Sequence, residues 1–275
     1  MFSAPLLRVK KVSLRAKKRY GQHFLQPAWA DRLVTAIAPA PVDRFLEIGP
    51  GPGALTCRLA ARVEHVTAIE LDTDMIEILS PQLPANVTLI HQDFLEFDLA
   101  RLVADGPVRV AGNLPYNVSS AILFRLIDAH RRAGGITDAT LMLQREVAQR
   151  LVARPGSRDF GILSVFVQLH ADVRSVLSLP PGAFRPAPKV HSAVVALTFR
   201  APAVCIRDGP SFEAMVRSMF TQRRKTLLNA LRAFSEARGK SPGEALVWAA
   251  IDPKRRPETL QLAEMARLAD FFTGG

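Results

Sequence analysis

The sequence predicts an α/β protein with a mainly parallel sheet, followed by a small all-α domain. Between residues 44 and 144, short segments rich in Val, Ile and Leu alternate with amphipathic stretches, and after Arg200 this alternation stops. Apolar strands separated by helices are typical of parallel sheets covered on both faces. With 275 residues, 48% of them hydrophobic, the chain is long enough to bury a large core.

The predicted elements of the first part follow one another in a regular order. Strands are expected at Arg44–Ile48, Val66–Glu70, Val87–His91, Val108–Ala111 and Ala139–Leu143. Helices are expected at Ala54–Arg62, Asp74–Leu79 and Ser119–Ala129, and residues 145–170 are predicted to be helical. Val190–Phe199 is interpreted as a late strand that adds antiparallel at an edge of the sheet.

The second part begins after a predicted linker. Ala201, Pro202 and the Asp208-Gly209-Pro210 turn interrupt the pattern. Short helices are then expected at Phe212–Phe220, Lys225–Phe234, Glu244–Ala249 and Leu260–Phe271. We therefore expect an α/β domain over residues 1–200, with a basic N-terminal arm, and a helical domain over residues 201–275.

The charge of the chain points to a polyanionic partner. Its net charge is +11, which suits a nucleic acid or an anionic membrane surface. Apolar runs are too short to span a bilayer. Cys57 and Cys205 lie outside any CxxC pattern, which argues against a zinc site or a disulfide scaffold and fits a reducing compartment.

The first thirty residues are basic and contain no acid before Asp31. Such a leader has two interpretations: an organelle transit peptide, or a solvated arm that contacts RNA phosphates. The RNA-contacting arm is the simpler interpretation. Under it, the protein is expected in the cytoplasm rather than in an organelle. Its cations are Arg8, Lys10, Lys11, Arg15, Lys17, Lys18 and Arg19.

A glycine-rich turn follows the first predicted strand. In Glu47-Ile48-Gly49-Pro50-Gly51-Pro52-Gly53, the glycines allow positive φ and a close approach of the backbone to a ligand. The GxGxG spacing puts Ala54 where a dinucleotide fingerprint has its third glycine. An ordinary tight turn is the alternative interpretation.

Two acids follow the next two predicted strands. Glu70 can accept hydrogen bonds from both hydroxyls of a ribose, and Asp93 can accept one from an exocyclic adenine amine. Either residue alone could be a surface acid. Together with the glycine turn, in register at successive strand ends, they favour a cofactor that contains adenosine.

The fourth predicted strand ends in Gly112-Asn113-Leu114-Pro115-Tyr116. Pro115 fixes its own φ and holds Leu114 out of helical geometry, so the loop is stiff. It can aim the Asn113 side-chain oxygen and the Leu114 carbonyl at one amine, while Tyr116 stacks on a flat ring. A solvent-facing turn is the alternative, but it does not explain why these three residue types occur together.

These motifs resemble the small-subunit ribosomal RNA adenine dimethyltransferases, and the resemblance covers nearly the whole chain. Asn-Leu-Pro-Tyr at residues 113–116 is similar to the loop of adenine N6 methyltransferases, and Gly21–Leu25 and Glu47–Thr56 resemble the family's cofactor motifs. Phe184–Ser192 resembles its FxPxPKVxS element, and residues 220–227 and 256–260 resemble its C-terminal domain. Many members have Asn where His23 stands.

The resemblance implies a Rossmann-like methyltransferase that uses S-adenosylmethionine and no metal. It implies dimethylation of two adjacent adenosines in the 3′-terminal hairpin of small-subunit RNA, with the immature small subunit as partner. A monomer is expected, because no self-complementary apolar patch can be read from the sequence. The implied catalytic residues are Asn113, Leu114, Pro115, Tyr116 and Phe184, where a buried core position is the alternative for Phe184. The implied cofactor contacts are His23, Leu25, Glu47, Gly49, Gly51, Gly53, Glu70, Leu71, Asp93, Phe94 and Asn113.

Arg223, Arg224 and Lys225 are the candidate RNA-binding cations. They are predicted to begin a helix, where cations oppose the helix dipole, so phosphate binding explains them better than helix propensity.

Three other functions remain as alternatives: an NAD-dependent oxidoreductase, a non-catalytic ribosome-assembly protein and a large-subunit RNA methyltransferase. The missing third glycine and residues 113–116 count against the first of these, and the resemblance of the tail counts against the last.

Overall fold

The computed structural model describes residues 16–17 and 21–273. The strands are β1 (Phe24–Leu25), β2 (Arg44–Ile48), β3 (His65–Glu70), β4 (Val87–His91), β5 (Val108–Asn113), β6 (Ile136–Gln144), β7 (Ala171–Leu179), β8 (Phe184–Arg185) and β9 (Ser192–Phe199). The first α-helices are α1 (Pro27–Ile37), α2 (Thr56–Ala60), α3 (Thr73–Leu79), α4 (Leu99–Ala104), α5 (Ser119–Ala133), α6 (Arg145–Val152) and α7 (Ile162–His170). The later ones are α8 (Gly209–Thr221), α9 (Leu227–Ala230), α10 (Arg232–Glu236), α11 (Pro242–Trp248) and α12 (Leu262–Thr273).

Seven strands form one sheet in the order β4-β3-β2-β5-β6-β9-β7. The pairs from β4 to β6 are parallel, and β9 pairs antiparallel with both β6 and β7. The expected α/β class with a mainly parallel sheet is confirmed. β9 is antiparallel as expected, but its predicted position at an edge is wrong, because β7 occupies the edge.

Among the described residues, β7 is the one strand of the large sheet that is not predicted from the sequence. This strand begins directly after α7 with no turn residue between them, and much of it is exposed and polar, including Asp172, Arg174 and Ser178. An edge strand with one solvated face lacks the apolar run that identifies the buried strands.

Several predicted helices are interrupted in the structure. Residues 145–170 form α6 and α7 with a loop between them that contains Pro155 and Gly156, and Lys225–Phe234 contains two short helices, α9 and α10. The predicted helix Ala54–Arg62 is reduced to α2, because the turn that follows the glycine loop continues to Leu55.

The apolar side chains form a core on each face of the sheet and another among the C-terminal helices. The C-terminal core is not confined to residues after 200, since Phe160, Val165 and Phe166 pack in it with Phe212. The helical part therefore packs on α7 of the sheet-containing part.

The sheet brings the carboxyl ends of β2, β3 and β5 together at one edge. Ile48 at the end of β2 pairs with Ile69 of β3 on one side and Gly112 of β5 on the other. In parallel α/β sheets, ligands bind outside the carboxyl ends of the strands. The glycine loop, Glu70 and Asn113 are thus neighbours at the edge where a ligand is expected.

No helix in the described part of the chain is long and apolar enough to cross a membrane.

Candidate active site

A cavity opens at the carboxyl edge of the sheet. Its walls come from the ends of β2 to β5 and from the segment 21–25. Most of the site residues expected from the sequence border it, namely His23, Leu25, Glu47, Gly49, Gly51, Glu70, Leu71, Asp93, Phe94, Asn113, Leu114, Pro115 and Tyr116. One pocket therefore holds the residues expected to bind the cofactor and those expected to bind the base.

The glycine loop has the backbone conformation that glycine permits. Gly49 and Gly51 have φ of 67° and 53°, in the left-handed region that other residues rarely adopt. The Gly51 N–H donates a hydrogen bond of 3.0 Å to Glu70 Oε2. Gly53 does not border the cavity: its φ is 86°, and a Cβ there would overlap Leu79. The absence of a side chain at Gly53 therefore allows the loop to pack closely against α3.

Glu70 fixes the turn between the first two strand ends. Its Oε1 accepts from the N–H groups of Leu71 and Asp72, both at 2.9 Å, and its Oε2 accepts from Gly51. Burial raises the pKa of the carboxyl, and these three hydrogen bonds oppose that rise. A carboxylate has about four lone-pair sites, so it still has capacity to accept a ribose hydroxyl. Glu70 thus has a structural role at this turn and one lone-pair site left for the expected binding role.

Glu47 is buried at the end of β2 and borders the same cavity, with 2% of its surface exposed. Burial raises its pKa to about 8, and the nearby charge of Glu70 adds to the rise. Its Oε2 atom has no hydrogen-bond partner among the described residues. An unpartnered buried carboxyl oxygen is costly unless a ligand satisfies it. The cationic methionine end of S-adenosylmethionine fits that requirement.

The end of β5 holds Asn113 close to the glycine loop. Gly112 makes this approach possible, since a Cβ there would lie 2.6 Å from the carbonyl oxygen of Ile48. Asn113 Nδ2 donates to the His23 carbonyl oxygen at 2.8 Å, and the Leu114 N–H donates to Met142 O at 3.1 Å. The Asn113 amide and the Leu114 backbone are therefore both anchored at the cavity wall.

Tyr116 presents an aromatic ring to the cavity with its hydroxyl group tied back. The hydroxyl lies 2.8 Å from Oγ of the buried Ser192. The ring stacks on that of His23 with 5.9 Å between centroids and an interplanar angle of 26°. His23 Nδ1 in turn lies 2.7 Å from the Pro186 carbonyl oxygen, to which it donates. The orientation of the Tyr116 ring is thus set by contacts from two distant parts of the chain.

Asp72 ties the N-terminal segment to the cavity, a role that the sequence analysis does not identify. Its carboxylate is 1% exposed and accepts from Lys17 Nζ at 2.5 Å and from Gln22 Nε2 at 2.7 Å. Burial alone would raise the pKa of Asp72, but these hydrogen bonds outweigh burial and lower it. Of the cations expected in the basic arm, Lys17 is described, and Arg8, Lys10, Lys11, Arg15, Lys18 and Arg19 lie outside the described residues.

Phe184 does not lie where the sequence analysis expects it. It belongs to β8, which pairs with β1, and it is 1% exposed among core residues such as Leu33 and Val194. It does not border the cavity, and the alternative of a buried core position describes it. The pairing of β8 with β1 joins residues far apart in sequence, so this burial has no local signal.

The three candidate RNA-binding cations also differ from expectation. They lie in the turn between α8 and α9 rather than at the start of a helix. Arg223 is partly buried, donates to the carbonyl oxygens of Ser157 and Arg158, and lies 3.9 Å from Glu258. Arg224 and Lys225 are exposed. Arg223 therefore joins the helical part to the loop before α7, and its two neighbours face solvent.

Fold and site together define a Rossmann-like methyltransferase that uses S-adenosylmethionine. Among the residues described, no group of three or more His, Cys, Asp or Glu side chains could hold a metal ion. A family model for ribosomal RNA adenine dimethylase matches residues 13–273. The chain belongs to that family.

Similar proteins carry related names. A ribosomal RNA small subunit methyltransferase A of Anaeromyxobacter sp. (strain K) is 43% identical over 97% of both chains. One of Xanthomonas campestris pv. campestris (strain 8004) is 45% identical over 94% of this chain and 97% of its own. Among solved structures, the 23S rRNA methyltransferase ErmE has a TM-score of 0.62 and 28% identity over 91% of this chain and 99% of its own. A dimethyladenosine transferase from Plasmodium falciparum, with a TM-score of 0.76 and 24% identity over 91% of this chain and 98% of its own, shares the fold.

Proposed function

We propose that the protein transfers two methyl groups from S-adenosylmethionine to the N6 amine of each of two adjacent adenosines in the 3′-terminal hairpin of small-subunit ribosomal RNA. The observation that carries the proposal is the position of Asn113, whose amide is anchored at the cavity wall beside the glycine loop. The names of the most similar relatives support the small subunit as the source of the RNA.

The cofactor would be held by the ends of β2, β3 and β4. Glu47 would meet its positive methionine end, Glu70 would accept from a ribose hydroxyl, and Asp93 would accept from its adenine amine. Leu71 and Phe94 would pack against its adenine ring, and His23 and Leu25 would close the side formed by the N-terminal segment. When bound, S-adenosylmethionine supplies an electrophilic methyl group on a sulfonium centre.

The chain's own groups would position the acceptor amine. The Asn113 side-chain oxygen and the Leu114 carbonyl accept the two N6 hydrogens, which directs a nitrogen lone pair towards the methyl group. The cationic N6 aminium formed by the transfer is acidic enough to lose a proton to water, so no general base is assigned and positioning carries most of the rate. The second transfer requires the amine to re-enter with one hydrogen replaced by a methyl group.

The target base must leave its stack to reach the cavity. Tyr116 is the proposed stacking partner, since its ring borders the cavity and its hydroxyl is tied to Ser192. Phe184 has no part in base stacking in this proposal, because it is buried in the core. Pro115 keeps the loop rigid between the acceptor carbonyl and the aromatic ring.

The helical part from residue 201 is proposed as an RNA-binding domain beside a methyltransferase domain over residues 1–200. Arg224 and Lys225 are exposed and can contact phosphates, whereas Arg223 positions the turn that carries them. We propose that the protein acts as a cytoplasmic monomer on immature small subunits and takes part in their biogenesis.

The test is transfer of labelled methyl groups to unmethylated small subunits, with large subunits as the matched control. The proposal predicts label as N6,N6-dimethyladenosine in small-subunit RNA only. Label in large-subunit RNA would contradict the assigned substrate. Tight RNA binding with no label in either subunit would contradict the assigned chemistry and leave an assembly factor.

A further inference from the structure

Exposed apolar side chains cluster on the C-terminal helices. Leu228 of α9 is 37% exposed, and Val247 and Trp248 at the end of α11 are 80% and 55% exposed. These three residues are called the Trp248 surface below. An exposed tryptophan is uncommon on a soluble protein without a binding role, because exposing the large apolar surface of the indole ring to water is unfavourable.

The two helices that carry this surface are in contact. The Leu228 Cδ1 atom lies 3.9 Å from the position that a Cβ on Gly243 would take. Val247 follows Gly243 by one helical turn, on the same side of α11. The Leu228 N–H donates to the Pro253 carbonyl oxygen at 3.3 Å, which brings Lys254 close to the surface. The apolar groups are therefore neighbours rather than scattered side chains.

Trp248 is held by contacts at the ends of two helices. Its ring lies 5.9 Å from that of Phe271, with an angle of 54° between them. Lys240 Nζ donates to the Phe271 carbonyl oxygen at 2.9 Å and lies 5.2 Å from the Phe271 ring, and Arg267 Nε donates to the Ala249 carbonyl oxygen at 2.7 Å. Lys240 and Arg267 therefore lie beside the Trp248–Phe271 pair. The contact with Phe271 partly fixes the position of the Trp248 ring before any ligand binds.

The surrounding segment is strongly basic. Residues 223–256 contain nine Lys and Arg and three Asp and Glu, so more than half of the net charge of +11 lies in this part of the chain. Six of these cations are exposed: Arg224, Lys225, Arg232, Arg238, Lys254 and Arg256. An apolar partner surface would leave these charges without counter-ions, whereas an RNA backbone supplies them.

We propose that the Trp248 surface is an RNA-binding site at which Trp248 stacks on an unpaired base while the cations around it contact phosphates. Proteins that bind single-stranded or looped RNA combine a basic surface with an exposed aromatic platform, because every base has a flat face. This site is separate from the cavity where methyl transfer is proposed. The inference rests on the proposed RNA substrate.

Fluorescence tests the stacking directly. The chain contains two tryptophans, so the full-length Trp29→Phe variant leaves Trp248 as the only one. Deproteinised, unmethylated small-subunit RNA is expected to quench its emission with the same midpoint as binding measured by filter retention. Unchanged emission at saturating RNA would overturn the proposal.

Matched variants separate stacking from charge and from catalysis. Trp248→Ala should weaken RNA affinity about 10-fold with an unchanged salt slope, and Lys254→Ala should lower the salt slope by about 1. Val42→Ala, at an exposed valine outside the Trp248 surface, should stay within about twofold. In methyl transfer, Trp248→Ala should raise KM for RNA and leave kcat unchanged. If the wild type binds RNA but transfers no methyl group, the proposed function is rejected and the RNA site is not.

Loss of binding to whole subunits but not to naked RNA would overturn the RNA site in favour of a protein partner. Binding of Trp248 to anionic vesicles with no response to RNA would overturn it in favour of a membrane.

Discussion

Asn113 Nδ2 donates a hydrogen bond of 2.8 Å to the backbone carbonyl oxygen of His23. A carbonyl oxygen only accepts, so this contact fixes which end of the amide faces the N-terminal segment and directs Oδ1 away from it. The same bond joins the end of β5 to residues 21–25, which form part of the cavity wall. The proposed acceptor oxygen and this part of the wall are therefore positioned by one interaction.

Tyr116 should act through its ring more than through its hydroxyl. Tyr116→Ala is expected to lower kcat/KM for RNA by about 5- to 150-fold, because base–aromatic stacking contributes roughly 1–3 kcal/mol. Tyr116→Phe keeps the ring and loses only the contact with Ser192, so a loss of about threefold or less is expected. The measurement is steady-state methyl transfer to small subunits. Equal losses in both variants would argue against stacking.

Glu70 should dominate cofactor affinity. Glu70→Ala removes the acceptor of three backbone N–H groups and of a ribose hydroxyl, so the Kd for S-adenosylmethionine should rise about 10- to 150-fold. Isothermal titration calorimetry measures the change. Glu77→Ala, an exposed acid on α3, is the control and should bind as the wild type does. Unchanged affinity in Glu70→Ala would remove this residue from the site.

Glu47 should make cofactor binding depend on pH. Its pKa of about 8 means that the carboxyl is mostly protonated at pH 7, and a bound cation favours the ionised form. Binding should therefore release up to about one proton at pH 7, measured by calorimetry in buffers of different ionisation enthalpy. Glu47→Gln should abolish the release. Equal proton release in both proteins would contradict the contact.

The same group should affect the stability of the cofactor-free protein. Because the folded-state pKa of Glu47 lies above its unfolded value, stability decreases as pH rises between about 4.5 and 8. Glu47→Gln should therefore be more stable than the wild type at pH 8, by on the order of 4 kcal/mol, and similar to it near pH 4. Urea unfolding at both pH values measures this difference, and an equal difference at both would contradict the assignment.

Asp72 should hold the N-terminal segment in place. Asp72→Asn is expected to destabilise the protein by about 1–3 kcal/mol and to speed cofactor dissociation, because Lys17 loses its buried partner. Asp74→Asn is the matched control: Asp74 contacts the same lysine at 2.8 Å but is 42% exposed, so at most about 1 kcal/mol is expected. The pKa of Asp72 is lowered, so its contribution is present at neutral pH and is lost as pH falls through that value. Urea unfolding and stopped-flow dissociation measure the two effects, and equal effects in both variants would contradict the assignment.

The strand ends could be predicted from the sequence because their residue types are set locally. Gly49 and Gly51 follow a buried apolar strand, Glu70 and Asn113 each end one, and parallel strand ends share one edge of the sheet. The roles of Phe184 and Asp72 depend instead on partners far along the chain, β1 for the former and Lys17 and Gln22 for the latter. The sequence around Phe184 does not show that this residue is buried in the core. The sequence around Asp72 does not show that this residue holds the N-terminal segment in place.

The most direct test of the account is single-turnover methyl transfer by Asn113→Ala with saturating cofactor and small-subunit RNA. We predict a rate at least about 100-fold below the wild type, with RNA affinity within about twofold, because the variant lacks an acceptor aimed at the reacting amine. Asn113→Asp keeps the acceptor oxygen but loses the donor to His23, so its rate should be intermediate. A rate in Asn113→Ala within about threefold of the wild type would contradict the central claim that the anchored amide positions adenine N6 for transfer.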